Sequence, residues 1–165
     1  MLVVTGYPTP HDPELRRRAR ALGIANDVRL TGWLDPPLLE GLYEIASACV
    51  VASLEEGFGQ PVLEAMIRGV PVAHSGRGAL AEVAGDAGLR FNPEDAPHIA
   101  AQINAILADD RLRTRLVGAG LARAAAFSWE ATAKRTVAAY RYALDAHAAQ
   151  RSDPAGSPGA RRASR

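Results

Sequence analysis

Residues 49–66 read CVVASLEEGFGQPVLEAM. The stretch begins with an apolar run that is too short for a helix and is typical of a buried strand. It breaks at Gly57-Phe58-Gly59 and restarts with Pro61, a residue suited to the first position of a helix. Gly69 ends that helix, because glycine favours the position just after a helix C-terminus. A strand, a glycine turn and a helix in this order predict the phosphate-binding edge of an α/β sheet.

The predicted turn and helix start combine three features that attract anions. Glycines let a ligand approach the backbone closely and let successive N–H groups point the same way. The helix N-terminus adds free N–H groups and a partial positive charge. Gln60 is a poor N-cap, so we expect capping to leave those donors free.

Two carboxylates bracket this predicted anion site. Glu56 stands on the loop and Glu64 on the first helical turn, with seven residues between them. Carboxylates accept hydrogen bonds from hydroxyls, so a ligand that joins phosphate to hydroxyl-bearing sugars, such as a nucleotide sugar, satisfies the arrangement. A structural interpretation stands beside this one: the glycines form a tight turn, and Glu64 precedes Arg68 by four residues, the spacing of a surface ion pair.

The segment Glu56–Met66, with Gly69–Val72 and the later Leu80–Gly88, resembles the E-x7-E signature of a known family. This family comprises the retaining, nucleotide-sugar-dependent glycosyltransferases of GT-B architecture (glycosyltransferase family 4, or group 1). The resemblance covers roughly residues 1–145 and is specific to the family but not to the sugar. It implies the Rossmann-like, donor-binding C-terminal half of a GT-B fold. The implied reaction is transfer of a mannosyl-type or glucosyl-type hexosyl group, with retention, to an acceptor.

The resemblance also assigns roles to individual residues. Glu56 is the expected catalytic residue and accepts hydrogen bonds from donor-sugar hydroxyls, while Glu64 accepts from the ribose hydroxyls. Trp33 is expected either to stack on the base or to anchor a strand exit to the core. The expected donor-binding residues are Gly57, Phe58, Gly59, Val62, Leu63, Glu64, Trp33 and Leu34. We expect no cofactor and no metal, because the sequence contains no Asp-x-Asp.

Composition predicts one folded domain, residues 1–150, and a disordered basic tail, residues 151–165. The 165 residues are 48% hydrophobic and 22% charged, which is ordinary for a globular protein. The net charge of +1 divides into +3 on the tail and −2 on the rest, so the folded part has no charge excess that favours nucleic acid. Cys49 is the single cysteine and no long apolar run occurs. We expect a cytoplasmic protein, with weak contact to the inner face of the membrane as an alternative.

Alternating strand and helix patterns predict a parallel sheet with helices on both faces. Asp12, Asp35 and Ser128 are expected N-caps. The last helix, with Tyr140, Tyr142 and Leu144, is expected to pack across the domain, as the resemblance implies. In a second glycine-rich loop, residues 74–78, we interpret His74 as structural and Arg77 as a candidate diphosphate contact. The expected strands begin near residues 2, 28, 49, 70 and 89, and the expected helices span about 13–22, 36–46, 61–68, 93–108, 111–126 and 129–148.

Compared with the family, the first β-α unit of the donor domain is missing, together with its Gly-Arg and Lys clamp for the diphosphate. The N-terminal acceptor-binding domain is missing as well. The resemblance therefore implies a partial donor domain, truncated at its N-terminus, that binds donor weakly and does not catalyse transfer alone. The open sheet edge is free to pair with another chain. Two alternatives remain: a non-catalytic nucleotide-binding module completed by a partner chain, and a fragment of a GT-B epimerase or phosphorylase.

Overall fold

The computed structural model describes residues 1–152. Within them strands and helices alternate, as predicted. Arg151 and Ser152, expected in the disordered tail, belong to the last helix, and the rest of the expected tail, residues 153–165, lies outside the described residues. The elements are β1 Leu2–Thr5, α1 Asp12–Ala21, β2 Val28–Gly32, α2 Pro36–Ile45, β3 Cys49–Val51, α3 Gln60–Ile67, β4 Val72–His74, α4 Leu80–Ala84, β5 Gly88–Arg90, α5 Ala96–Ala108, α6 Asp110–Ala124 and α7 Trp129–Ser152.

All strand pairs are parallel, which confirms the predicted sheet type, but the strands form two sheets. One has the order β1-β2 and the other the order β3-β4-β5. A doubly wound dinucleotide fold has the order 3-2-1-4-5-6. Within residues 1–152, β1 pairs with β2, and β3, β4 and β5 pair in chain order, as neighbouring strands of that order do. The carboxyl ends of β3 and β4 lie side by side, because Val51 pairs with His74.

Helices cover both faces of the three-stranded sheet, as predicted. Val72 and Ala73 follow one another in β4, so their side chains point to opposite faces. Each residue belongs to a different buried cluster. The cluster on the Val72 face contains Val51, Val62, Leu63, Ala65, Met66, Val70, Val72, Leu80, Val83, Ala84, Ala87 and Ala124. The cluster on the Ala73 face contains Ala73, Phe91, Ile106 and Leu116.

Helix α3 begins and ends at glycines. Its N-cap is Gly59, with φ of +90°, so Pro61 lies one position further into the helix than expected. At the other end Gly69 has φ of +68° and donates its N–H to Met66, while Val70 donates to Ala65. These two bonds form a Schellman motif. The helix that follows the glycine turn is therefore closed at Gly69, as the sequence predicts.

Of the three predicted caps, Ser128 is confirmed, since its hydroxyl accepts the N–H of Ala131 at 3.1 Å. Asp35 is the N-cap of α2 by position, without a side-chain hydrogen bond. The prediction for Asp12 is wrong: His11 is the N-cap, and Asp12 is the first residue of α1. Its carboxylate instead accepts from the N–H and hydroxyl of Thr9, and these bonds lower the pKa of Asp12.

The expectation that the last helix packs across the domain is also wrong for this structure. Tyr140, Tyr142 and Leu144 are 68%, 78% and 69% exposed. Beyond Ala131 every α7 side chain that the structure describes is exposed, so the helix finds no surface of residues 1–152 to pack on. Although α7 is long, no helix in the described part of the chain is apolar enough to cross a bilayer.

Helix α6 offers a matched pair of leucines that tests this core. Leu116 is 2% exposed and Leu121 is 46% exposed. Leu116→Ala is expected to lower the free energy of unfolding by about 2–5 kcal/mol, since it removes buried methyl groups and leaves a cavity. Leu121→Ala is expected to change it by less than about 1 kcal/mol. Urea unfolding of both variants measures the difference, and equal losses would contradict the assigned orientation of α6.

Candidate functional site

The loop that joins β3 to α3, residues 53–59, is called the Glu56 loop below. Its backbone amides bind a carboxylate, and that carboxylate is the loop's own. Oε1 of Glu56 accepts from the N–H of Gly59 at 3.2 Å and from the N–H of Phe58 at 3.4 Å. No side chain caps α3, so the expectation that capping leaves the helix N–H donors free is confirmed. The two amides of the turn are not free, however, because Glu56 folds back onto them.

A second loop, residues 75–79, is called the Gly76 loop and is bonded to the first. Ser75 donates its hydroxyl to the main-chain oxygen of Ser53 at 2.6 Å. Ala79 donates its N–H to the main-chain oxygen of Glu56 at 3.0 Å. Gly78 has φ of +54°, and a Cβ there would overlap that same oxygen. The two loops therefore meet backbone to backbone, and their close approach requires glycine at position 78.

Glu64 lies on the first turns of α3 and is half-buried. Its carboxylate accepts from the amide of Gln60 at 3.0 Å and from the hydroxyl of Tyr43 at 3.2 Å. The surface ion pair with Arg68 does not form. Arg68 pairs with Glu40 at 2.9 Å instead and donates to the main-chain oxygen of Glu64. Both hydrogen-bond donors to the Glu64 carboxylate are thus neutral, and its remaining lone pairs can accept hydroxyls.

The surroundings of Glu64 keep neighbouring groups protonated. Burial, followed by the electrostatic effects of Cys49 and Glu64, raises the pKa of Tyr43. Burial, followed by the charge of Glu64, raises the pKa of the Cys49 thiol to about 11. Tyr43 is therefore a hydroxyl donor at neutral pH, and Cys49 is an unreactive thiol because the thiolate is the nucleophilic form.

The other predicted donor-binding residues on α3 face the core. Val62 is fully buried and Leu63 is 7% exposed. Both side chains belong to the cluster on the Val72 face, and the N–H of Val62 donates to Gly59 at 3.0 Å. A role for these two residues in donor binding would rest on the backbone that they hold in place.

Trp33 and Leu34 follow β2, on the smaller sheet, rather than the strands that carry the Glu56 loop. The Trp33 ring is 59% exposed and stacks on Tyr7, with centroids 5.0 Å apart and ring planes 19° apart. Leu34 is half-buried. The exposed aromatic pair lies at the carboxyl ends of β1 and β2, where a planar group can stack. The anchoring alternative is not observed for Trp33, because its ring is not in the core.

The structure thus brings Glu56, Phe58, Gly59 and Glu64 together around the start of α3. Phe58 is 52% exposed and meets Phe127 edge to face at 6.4 Å between centroids. The loops that carry these residues lie at the carboxyl ends of two adjacent parallel strands, where doubly wound sheets bind ligands. Arg77, the candidate diphosphate contact, is exposed and pairs with Glu94 at 3.6 Å.

An open groove of about 620 Å³ runs along α7, away from these residues. Its lining comprises Ala133, Lys134, Val137, Ala138, Arg141, Tyr142 and Asp145. It is one side of an exposed helix, and none of the predicted site residues lines it. Convergent polar groups define a ligand site better than volume does, and those converge on the Glu56 loop.

Sequence reasoning missed several residues of this site. Tyr43 is not among the predicted site residues, although its hydroxyl reaches Glu64, 21 residues along the chain. Ser53 and Ser75 gave no signal in the sequence. Gly78 was recognised only as part of a glycine-rich loop, and the overlap that demands glycine there depends on a loop 22 residues earlier in the chain.

Comparison with known proteins gives a consistent result. The family described as Glycosyl transferases group 1 matches residues 1–109. The O-antigen chain mannosyltransferase B of Escherichia coli is 39% identical over 140 residues, which are 85% of this chain and 37% of that protein. The chain spans about a third of the length of the curated relatives it matches.

Solved structures share the fold. The C-terminal domain of LpcC, a glycosyl transferase group 1 family protein from Francisella tularensis, superposes with a TM-score of 0.66 and 29% identity, over 73% of this chain and 66% of that one. Anabaena HepE, solved in complex with UDP, superposes with a TM-score of 0.72 and 22% identity, over 86% of this chain and 40% of that one. These matches confirm the expected GT-B type of fold.

The contact between the two loops gives a direct test. Gly78→Ala is expected to lower the free energy of unfolding by about 1–3 kcal/mol, because alanine is strained at positive φ and its Cβ overlaps Glu56. Gly57→Ala is the matched control, since a Cβ at Gly57 meets nothing within 4 Å. Thermal unfolding of both variants gives the comparison. An equal effect of the two substitutions would show that the Gly76 loop does not press on the Glu56 loop.

The raised pKa of Cys49 predicts a stability change at alkaline pH. The folded chain keeps the thiol proton up to about pH 11, whereas the unfolded thiol loses it from about pH 9, so folding is disfavoured as the pH rises through this window. The free energy of unfolding of the wild type, measured with urea, is expected to fall by up to about 1.4 kcal/mol per pH unit because of this thiol. Cys49→Ala removes this contribution, and an unchanged slope in that variant would contradict the burial of the thiol.

Proposed function

Because this chain belongs to the glycosyl transferases of group 1, we propose that it binds a nucleoside diphosphate sugar at the carboxyl ends of β3 and β4. The site comprises the Glu56 loop, the first turn of α3 and the Gly76 loop. The proposal extends to activity: in a longer protein with a second, acceptor-binding domain, this half supplies the donor for transfer of a hexosyl group with retention.

The observation that supports the proposal most strongly is the carboxylate bound by the amides of Phe58 and Gly59. These two N–H groups point at one anionic oxygen, next to the N-terminus of α3. The carboxylate stands in for an anionic or hydroxyl oxygen of a ligand, which would take its place on the same donors. Such a displacement frees Glu56 to accept hydrogen bonds from the sugar.

The two glutamates then have different roles in the proposal. Glu56, released from the amides, accepts hydroxyls of the donor sugar and is the proposed catalytic residue. Glu64 is held in place by Gln60 and Tyr43, so it is suited to a fixed contact with the ribose hydroxyls. Trp33, stacked on Tyr7 at the end of the other sheet, offers an aromatic face to a base.

Transfer requires stabilisation of the leaving diphosphate. Negative charge grows on that group as the bond to the sugar breaks, and preorganised N–H donors stabilise it without having to reorient. In the proposal the Gly57–Gly59 amides and the helix N-terminus supply this stabilisation. The family membership and the name of the Escherichia coli relative, a mannosyltransferase, support a mannosyl or related hexosyl donor. The UDP held by Anabaena HepE supports a nucleotide at this type of fold.

We propose that donor binding by this half needs no metal or cofactor, on the basis of the absent Asp-x-Asp. A cytoplasmic location, with contact at the inner face of the membrane as the alternative, stays a prediction. The acceptor is left open.

Nucleotide titration of the 165-residue chain tests the site. UDP, GDP and ADP, each with and without a linked hexose, are titrated calorimetrically. Glu64→Ala is expected to weaken the best nucleotide by about 10-fold to 100-fold, because hydrogen bonds to a charged group contribute about 1.5–3 kcal/mol. Glu56→Ala is expected to reduce the extra affinity that the linked sugar provides.

Glu55→Ala is the matched control for both variants. Glu55 is exposed on the same loop and has no role in the proposal, so its removal is expected to leave every affinity within about twofold. Equal nucleotide affinity in the wild type and Glu64→Ala would refute the ribose assignment. If none of the six ligands binds, the proposed function itself fails.

A further inference from the structure

His74, the last residue of β4, is buried at the base of the candidate site. Its side chain is 1% exposed. Space for the ring comes from Gly88 on β5, where a Cβ would lie 2.9 Å from Cδ2 of His74. Gly76, two residues further on, has φ of +66°, and the side chain of Arg90 occupies the space of its missing Cβ. Two glycines thus make room around the imidazole and the arginine beside it.

A hydrogen bond to Nδ1 indicates the tautomer of neutral His74. Nδ1 accepts the N–H of Gly76 at 3.1 Å, so in the neutral ring the proton is on Nε2. Nε2 has no hydrogen-bond partner among the described residues. Arg90 is the register partner of His74 on β5, and the partner on β3 is the uncharged Val51. Burial, followed by the positive charge of Arg90, lowers the pKa of His74.

The amide that His74 binds belongs to the loop that holds Glu56. Gly76 lies between Ser75, whose hydroxyl is bonded to Ser53, and Gly78, which touches the backbone of Glu56. Ala79 completes the contact through its N–H. Arg77 is the charged side chain of this loop, and it turns away to Glu94. A change at the Gly76 amide is therefore transmitted to Glu56 over a few residues of bonded backbone.

We propose that His74 is a positioning residue of the donor site: its neutral ring holds the Gly76 amide and thereby fixes the Gly76 loop against Glu56. The inference rests on the proposed function and adds to it. The imidazole touches no ligand and acts through the loop. A protonated ring has N–H groups at both nitrogens, so it repels the Gly76 amide instead of accepting from it.

The consequence is a donor affinity that depends on pH. The lowered pKa means that His74 takes up its proton below the ordinary value of 6.5, and less readily when folded than when unfolded. Stability is therefore lost as the pH falls below that value, since the unfolded state binds the proton more readily. The affinity of the folded chain for a donor falls as the folded ring itself takes up the proton, because the loop that places Glu56 is then released.

Two substitutions of His74 distinguish a residue that positions the Gly76 loop from one that only fills space in the core. His74→Asn places an amide oxygen near the position of Nδ1, so it can accept from Gly76 but cannot titrate. His74→Leu fills a similar volume and has no acceptor. UDP-glucose and GDP-mannose are titrated into the 165-residue chain and both variants at about pH 7.5 and about pH 5.5, on either side of the histidine range. Circular dichroism at each pH gives the fraction of folded protein, and each measured affinity is corrected for that fraction.

The wild type is expected to bind its preferred donor at least about fivefold more weakly at the lower pH, the loss expected from one hydrogen bond. His74→Asn is expected to keep the neutral affinity at both values, and His74→Leu to show the weakened affinity at both. A wild-type affinity for His74→Leu at neutral pH, or an unchanged pH dependence in His74→Asn, would overturn the proposal.

A second measurement remains informative if no nucleotide binds. In ¹⁵N-labelled protein the Gly76 amide resonance is followed from about pH 7.5 to about pH 5.5, across the histidine range. Wild-type Gly76 and Ala79 are expected to shift together as His74 protonates, and to stay constant in His74→Asn. If the Gly76 amide shift does not change while His74 titrates, the positioning role is overturned, whether or not the proposed function holds.

Discussion

The candidate site depends on one contact, the hydrogen bond from the Ala79 N–H to the main-chain oxygen of Glu56. It joins loops that leave two neighbouring strands, and it forms because Gly78 has no side chain to separate them. Backbone groups at such a loop need partners, because an unpaired buried N–H or C=O is costly. By satisfying each other, the loops fix Glu56 in front of the start of α3.

The rest of the domain supports that contact. Helix α3 is held by its buried face, with Val62 and Met66 in the cluster on the Val72 face of the sheet. Gly120 lets α6 lie close to Met66 of α3, since a Cβ at Gly120 would be 3.1 Å from Cγ of Met66. The buried face of α3 therefore holds the helix N-terminus against the Glu56 loop.

The strand, turn and helix of residues 49–69 could be predicted because their signals are local: an apolar run, glycines, a proline and a closing glycine. The pairing of Glu64 with Tyr43 could not, since it joins residues 21 apart whose contact depends on how two helices pack. The folding back of Glu56 was missed because sequence spacing does not decide whether a carboxylate binds its own amides or a ligand's hydroxyls. The exposed α7 was mispredicted because burial depends on which surfaces lie nearby, not on the helix pattern alone.

The Glu56 loop, the start of α3 and the Gly76 loop are proposed to form one nucleotide-sugar site. Titration of the ¹⁵N-labelled 165-residue chain with GDP-mannose and UDP-glucose, followed amide by amide, tests it most directly. If the two loops form one site, the amides of Phe58, Gly59 and Gly78 shift together and saturate at one ligand concentration. Shifts confined to the exposed groove of α7, or saturation of the two loops at different concentrations, would contradict it.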